Sequence, residues 1–590
     1  SNISIPSLTE GGIDFGIPET SSLWINGATV STTIIGLNGT GYQALSVFGQ
    51  IRISAGSMSS GDAAGLVCWS SNSPEIIVEG TGILDVSQIW TTAAIGIETY
   101  IQTGGTTNIR ANGEVHGGPM FQFNSSNSVV NISGGTINFL NGIFTAGQGI
   151  DIQCAPGNFS ITGGVININE PGGTDFGINS TIPFFNLAVS RQSGGGNNTI
   201  TLLNTSATTI SILNNLTLNA NTLLNANTNT VNLAVGGDFN ISNSATYTPG
   251  NTTTSLNGSG AQLLTLDGTI TTGLYNFTIV KSAGVASLAG TSITLAIRNN
   301  LSINSGTIAD AGKTIDVKGN VINSGTHSGA GKISLTGTNT QTIGGNGAGV
   351  FQNLELNNSN GAAAPVSLLS GQTILGALTL TSNKIFDLGS NNLFLGSVST
   401  IVGTPGNNRF IRTSGFRSDG GLSKTFSTNS FTFPVGTGAE YTPGTIIFSA
   451  TPTAYGTITV RPVANEHPNV TVTGRSLTYY WRTTSSGFTL GAATVSQNYV
   501  YAQTDVVSGG NVSEAQYVPA RYNATALTWA NTTAADINTG TNAITFQGAT
   551  FNTLIDGDYT AGDNNPTNPF GTVIVYYSRV NTGNWETAAT

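Results

Sequence analysis

Ile303-Asn304-Ser305-Gly306-Thr307 and, nineteen residues later, Ile322-Asn323-Ser324-Gly325-Thr326 decide how this chain is read. A second string, Ala311-Gly312-Lys313, returns at the same offset as Ala330-Gly331-Lys332. Two matches at one offset point to an internal repeat. A period of ~19 residues suits one coil of a β-solenoid, two or three short strands joined by Gly/Asn turns. Alternation along each strand sends Ile, Leu, Val and Phe inward and Thr, Asn and Ser outward. Asn and Gly suit the corners because both tolerate positive φ. Coils stacked ~4.8 Å apart satisfy each other's backbone groups, and stacked Asn can form amide ladders.

A longer spacing lies over the short one. Asn186-Leu187-Ala188-Val189, Asn276-Phe277-Thr278-Ile279 and Asn353-Leu354-Glu355-Leu356 share one pattern, and Ser-Leu-x-Gly-x-x-x-Gln occurs at 255–262 and 334–341. These strings predict larger repeats near 184–273, 274–350 and 351–405. The expected fold class is all-β: a right-handed parallel β-helix or β-solenoid over 1–405, then a β-sandwich over 406–568. Residues 569–590 read as a linker or the start of the next module. The boundary rests on the turn cluster Thr404-Pro405-Gly406-Asn407-Asn408, beyond which Arg, Tyr and Trp become commoner. At ~19–25 residues per coil the first part makes roughly 16–21 coils, a rod on the order of 75–100 Å long.

Charged residues are 8% of the 590, against about 25% in an ordinary soluble domain. The polar surface therefore comes from Asn, Thr, Ser and Gly, while a hydrophobic share of 38% still builds a core. A net charge of −10, with 18 Lys and Arg scattered singly, argues against phosphate-backbone recognition and against docking on anionic membrane. No run approaches the ~18–20 apolar residues of a membrane span. Expected partners are other copies of the chain, neighbouring modules of the same polypeptide, or surface glycans, without nucleic acid or membrane insertion. The opening SNISIPSLTEGG has neither an initiator Met nor a signal sequence, and the end stops in mid-pattern. Both read as one module of a longer protein.

Candidate sites are few. Cys68 and Cys154 form either one bridge in an oxidising compartment or two buried free thiols. Asp556, Asp558 and Asp563, with Asn564 and Asn565, make an oxygen-rich stretch that suits Ca²⁺ or a polar turn; no other cofactor is expected. Tyr479, Trp481 and Trp529 offer a glycan-stacking face, although strand alternation turns part of Tyr479–Trp481 inward. His116, His327 and His467 share no metal-ligand spacing. Asp310 and Asp316, near Lys313 and Lys318, come nearest to the paired carboxylates of a carbohydrate-active β-helix. No catalytic residue is assigned, and the chain is read as non-enzymatic; the alternative is a carbohydrate-binding or carbohydrate-active β-helix protein.

Four strings carry a family resemblance: residues 336–343 leading into 351–356, Phe433-Pro434-Val435-Gly436 with Tyr441 and Pro443, Gly557–Asp563, and 576–586. They resemble the large β-strand-repeat surface proteins of Bacteroidota, many of them similar to cargo of the type 9 secretion system. The resemblance covers residues 180–590 and carries no catalytic residues. It implies export to the bacterial cell surface and an adhesive, gliding or matrix role. The sorting domain expected of such cargo is missing from the sequence. The expected function is thus a non-catalytic extracellular stalk, filament or surface-layer-like segment.

Overall fold

Burial alternates along the strands as the pattern predicts. In Val165–Glu170, Ile166, Ile168 and Glu170 point inward and Val165, Asn167 and Asn169 outward. The computed structural model describes residues 16–571 apart from 35–43, 60–64, 69–72, 92–96, 111–117, 143–147, 204, 382 and 533–535, together with the short strands Ile3–Ile5, Tyr577–Ser578 and Trp585–Glu586. Every described helix or strand is a strand except two 3-10 turns, Gln503–Asp505 and Glu514–Gln516. Parallel coils make a β-solenoid of about 16 turns. The chain divides into two compact units, Ser1–Ile315 and Asp316–Thr590.

In the first unit one sheet stacks eleven parallel strands. Its register sets the coil length. Asp175 pairs with Thr199, Asn198 with Thr222 and Leu223 with Thr246, a turn of 23–24 residues. Earlier turns are longer, as Ile89 with Phe121 and Phe121 with Ile150 show. The coil is therefore longer than the nineteen-residue offset predicts. A strand repeats every two residues, so an odd offset turns a motif over. Accordingly Ile303 is buried where Ile322 is exposed, and Asn304 is exposed where Asn323 is buried.

The Asn-Leu/Phe pattern does not mark a larger repeat either. Leu187 stacks on Leu216, Phe239 and Leu264 in one column, whereas Phe277 stacks on Thr254 and Leu233 in another. What it marks is a corner clamp. Asn186 donates to the Gly164 carbonyl at 3.1 Å and accepts from the Asn215 N–H at 3.2 Å, tying the coils on either side. Asn353 does the same with the Gly331 carbonyl (2.7 Å) and the Ala377 N–H (2.8 Å). Turn groups that would otherwise lack partners are thereby satisfied. The Gln that ends Ser-Leu-x-Gly-x-x-x-Gln works from inside: Gln262 donates to the Val235 carbonyl at 2.7 Å and Gln341 to that of Val317 at 3.0 Å. The motif's glycine is obligatory at Gly258, where a Cβ would lie 1.6 Å from the Gly236 oxygen.

Inside the first unit, Tyr100, Phe121, Phe123, Phe139 and Phe176 form a run of rings with centroids 5.0–6.2 Å apart. On the outside an amide ladder is present. Asn138 donates to Asn108 Oδ1 at 2.9 Å and accepts from Asn167 at 3.3 Å. Asn138→Ala removes both bonds and should cost about 1–2 kcal/mol locally. The check is hydrogen exchange across Thr136–Leu140, which should accelerate; unchanged protection would mean the ladder adds nothing.

The second unit begins with the same construction. Lys332–Leu335, Leu354–Leu356, Ala377–Leu380 and Thr400–Val402 stack in parallel. Parallel pairing then runs past the boundary expected at 405, joining Phe386 to Ile411 and Ile411 to Val435. Proline and glycine at 405–406 make a turn, but the backbone groups beyond it still find coil partners. The change comes at Gly421–Thr425, which pairs in parallel with Asn392–Leu395 on one side and antiparallel with Thr457–Val463 on the other. The strand that ends the stack thus opens an antiparallel sheet, leaving no bare edge there. That sheet continues through Tyr480–Ser486, Gly557–Asp563, Tyr517–Asn523 and Thr528–Asn531. A second antiparallel sheet runs Ser430–Phe433, Gly444–Phe448, Val495–Val500, Ala543–Phe546, Ile537–Asn538. Trp481 and Tyr559 of the first sheet meet Tyr499 of the second at 5.0 and 5.3 Å between ring centroids.

Candidate functional site

A buried concentration of charge with aromatics lies in the first antiparallel sheet of the second unit. Gly557–Asp563 is a central strand, hydrogen-bonded on both sides, so its acids are held rigidly and largely dried. Asp558 is buried and pairs with Arg417 Nη1 at 2.7 Å and His467 Nε2 at 3.1 Å. Burial raises its carboxyl, but the hydrogen bond from His467 and the charge of Arg417 outweigh that and hold it below the usual carboxylate range. Asp563 pairs with Arg475 at 3.2 Å and accepts the Ser513 N–H at 2.8 Å. Arg475 also donates to the Thr567 carbonyl at 3.1 Å and to that of Asn565. Asp556 accepts the Ser485 N–H.

The three candidate calcium ligands are thus spent separately, two of them on cations. This corrects the calcium expectation: a strand spreads Asp558 and Asp563 along its length, where a calcium loop would converge them. No group of three or more His, Cys, Asp or Glu among the described residues is placed to hold a metal. Chelator or added Ca²⁺ should shift the unfolding midpoint by less than about 1 °C; a calcium-dependent rise in a thermal scan would restore the site.

The glycan face is corrected as well. Tyr479 and Trp481 are fully buried. Trp481 donates its indole N–H to the Thr442 carbonyl at 2.9 Å, and the Tyr479 hydroxyl bonds that of Thr442 at 2.6 Å. Trp529 is half-buried, packs on His467 and Phe570 at 4.8 and 4.9 Å, and donates to the Asn469 carbonyl. Tyr479 and Trp481 are core, and Trp529 is packed against the core with part of its ring still exposed.

His467 cannot act as a base where it sits. Its Nδ1 accepts the Asn469 N–H at 3.2 Å, so the proton is on Nε2, which faces Asp558. Both nitrogens are used and the side chain is fully buried. His327 is buried, and His116 lies outside the described residues. Asp310 is buried and accepts the Gly312 N–H, while Lys313 donates to the Gly290 and Ser292 carbonyls. Asp316, in the second unit, accepts from Thr336 and lies 3.7 Å from Lys318. Asp310 serves its own turn and Asp316 a neighbouring coil, so the two are used separately.

Cys154 is a free, buried thiol. Register puts Cys68 one coil before Thr91, two before Phe123 and three before Ile152. A rise of ~4.8 Å per coil leaves them ~14 Å apart, beyond the ~7 Å that a disulfide spans. The side chain of Cys68 lies outside the described residues. Burial first, then the charge of Glu98, pushes the Cys154 thiol up to about 12.

Sequence reasoning missed the Arg417–Asp558–His467 and Arg475–Asp563 pairings. A buried charge needs a partner, so the acids of Gly557–Asp563 signal that arginines must meet them, but nothing local says which ones across a separation of 141 residues. No protein-family model, curated protein or solved structure matches the chain.

Proposed function

We propose that this chain is a non-catalytic structural and adhesive segment, a stalk, filament or surface-layer-like module of a large protein exposed at a bacterial cell surface. The observation that carries the reading is where the outward side chains spend their bonds. Asn108, Asn138 and Asn167 bond one another between coils, Asn186 and Asn353 clamp corners, and Lys313 and Lys384 cap turn carbonyls. Surface chemistry is used to hold coil to coil, which suits a load-bearing spacer. The finer architecture belongs to the same reading: right-handed coils, as parallel crossovers prefer, leading into a β-sandwich whose two sheets share the Trp481–Tyr499–Tyr559 layer. Immunogold imaging of producing cells with antibody to this segment tests it. Label on surface fibres or sheets is expected; label confined to released soluble protein together with glycan cleavage would overturn it.

A second reading, carbohydrate binding, is favoured by one residue. Trp24 is 56% exposed, its indole N–H held by Ser54 at 2.8 Å and Arg52 lying over its ring. Glycan binding lost in Trp24→Ala would support it.

A further inference from the structure

The outer face of the first antiparallel sheet holds two arginines that the fold leaves largely unspent. Arg461 of Thr457–Val463 lies directly opposite Arg482 of Tyr480–Ser486, and Arg482 lies opposite Asp558. Like charges paired across two strands are unfavourable. Arg461 folds over Gly421, where a Cβ would come within 2.6 Å of its Cγ, and donates its Nε–H to the Gly420 carbonyl at 2.6 Å. Among the described residues its Nη groups make no hydrogen bond, and the Arg482 side chain makes none at all. Both arginines are half-buried, so water reaches each only in part. Arg417 arrives at the same place through its 2.7 Å bond to Asp558. Two carboxylates act nearby, yet neither comes within ion-pair distance of Arg461 or Arg482. Asp558 is taken by Arg417 and His467, and Asp419 accepts the Phe416 N–H at 3.0 Å. Three guanidinium groups against two carboxylates leave one positive charge over. Burial, and then the charge of Arg482, hold the Arg461 guanidinium below its usual range.

We propose that Arg461 and Arg482, with Arg417 beside them, bind one oxyanionic group (a carboxylate, sulfate or phosphate) carried by an otherwise neutral ligand. Guanidinium forks match such groups bidentately. An anion between the two arginines replaces one repulsion with two attractions. A cation would meet further like charges, and an apolar ligand would strand the unspent donors. The rest of the ligand is constrained by the next row of the same face. There Thr459 lies opposite Thr484 and its hydroxyl bonds that of Ser423 at 2.7 Å, so the neighbouring surface is neutral and hydroxyl-bearing. A polyanionic strand would instead meet the repulsion of a chain whose net charge is −10. With only 18 Lys and Arg in 590 residues, three at one place are an exception that their wide separation in sequence hides. The site goes beyond the structural reading above: binding is measured on the chain in solution and stands or falls whatever the chain does at a cell surface.

Equilibrium dialysis of the full chain against radiolabelled sulfate tests the proposal. One saturable site per chain is expected, with a Kd on the order of 1 mM. Arg461→Gln and Arg482→Gln should each weaken binding by at least about tenfold, because each removes a charge-assisted fork. Arg482→Lys keeps the charge but loses the fork, and should weaken binding by about threefold or more. Lys332→Gln, which removes a half-exposed cation paired with Glu355 in the parallel stack, should leave it unchanged. Displacement of the label by D-glucuronate would assign the site to a sugar carboxylate, and displacement by phosphate but not glucuronate to a tetrahedral ester. Neutral glucose should displace nothing. Far-UV circular dichroism confirms each fold, and Arg482→Lys takes the place of Arg482→Gln if that variant unfolds. No saturable binding up to about 20 mM sulfate, undiminished binding by both arginine variants, equal loss in Lys332→Gln, or displacement by glucose each overturns the proposal.

Discussion

Asp558→Ala should lower the stability of the antiparallel half of the second unit by about 3 kcal/mol, toward the 3–5 kcal/mol typical of breaking a buried pair. The reason lies in what is left behind. The side chain of Arg417 keeps 35% of its exposure, so water recovers part of its charge. That of His467 has none, and its Nε2–H loses its acceptor in a dry pocket lined by Tyr480, Tyr522 and Trp529. An unsatisfied buried donor costs about 1–3 kcal/mol by itself. Asp558→Asn keeps an acceptor for His467 and loses only the ion pair, so about 1–2 kcal/mol is expected. The pH dependence follows from the direction of the shift. The folded carboxyl is held below its ordinary value, so its contribution is full above ~4 and is lost as pH falls through the lower, folded value. The acid limb of unfolding should flatten in both variants. Fluorescence of Trp481 and Trp529 during urea unfolding reads the effect; a change under about 0.5 kcal/mol for Asp558→Ala would show the cluster to be solvated.

How much of this was legible beforehand follows from the range of the physics. Alternation is a two-residue signal, so the inward Ile166 and Ile168 and the coiled β architecture could be read directly. Coil length could be bracketed, at ~19–25 residues, but not fixed. The Ile303 and Ile322 strings look equivalent as text, yet their odd offset puts one in the core and the other in water. Pairing register, set by turns of uneven length, decides the count. The end of the parallel stack was invisible for the same reason: Gly421–Thr425 is an ordinary strand sequence whose two edges happen to meet partners of opposite direction. In the candidate site, Asp558 and Asp563 stood out as acids in an uncharged chain, but calcium ligands and salt-bridge partners look alike until the arginines arrive from Arg417 and Arg475. Tyr479 and Trp481 likewise read as a platform or as core until burial is known.

Glu170→Gln should stabilise the first unit at alkaline pH, the opposite sign to Asp558. Glu170 ends its strand pointing inward and is fully buried. One carboxyl oxygen accepts the Gly142 N–H; the other has no hydrogen-bond partner. Burial pushes the carboxyl up to about 8, with the Gly142 bond drawing it part of the way back. The folded chain therefore holds this proton up to about pH 8, while the unfolded chain releases it near ~4.3. Between those values the folded state binds more protons, so stability falls as pH rises; below and above the window it is level. Integrated over the window the loss is on the order of several kcal/mol, with 5 kcal/mol as an approximate ceiling. Gln keeps an acceptor for Gly142 and cannot ionise, so its stability should stay level from about pH 5 to 9 while that of the parent declines. The two should coincide near the acid end and separate above neutrality. Amide protection in Val165–Glu170 and in the paired strand Asn186–Arg191 is the local readout. Equal protection of parent and variant at about pH 9 would mean that Glu170 ionises in contact with water, and that the coil interior there is not closed.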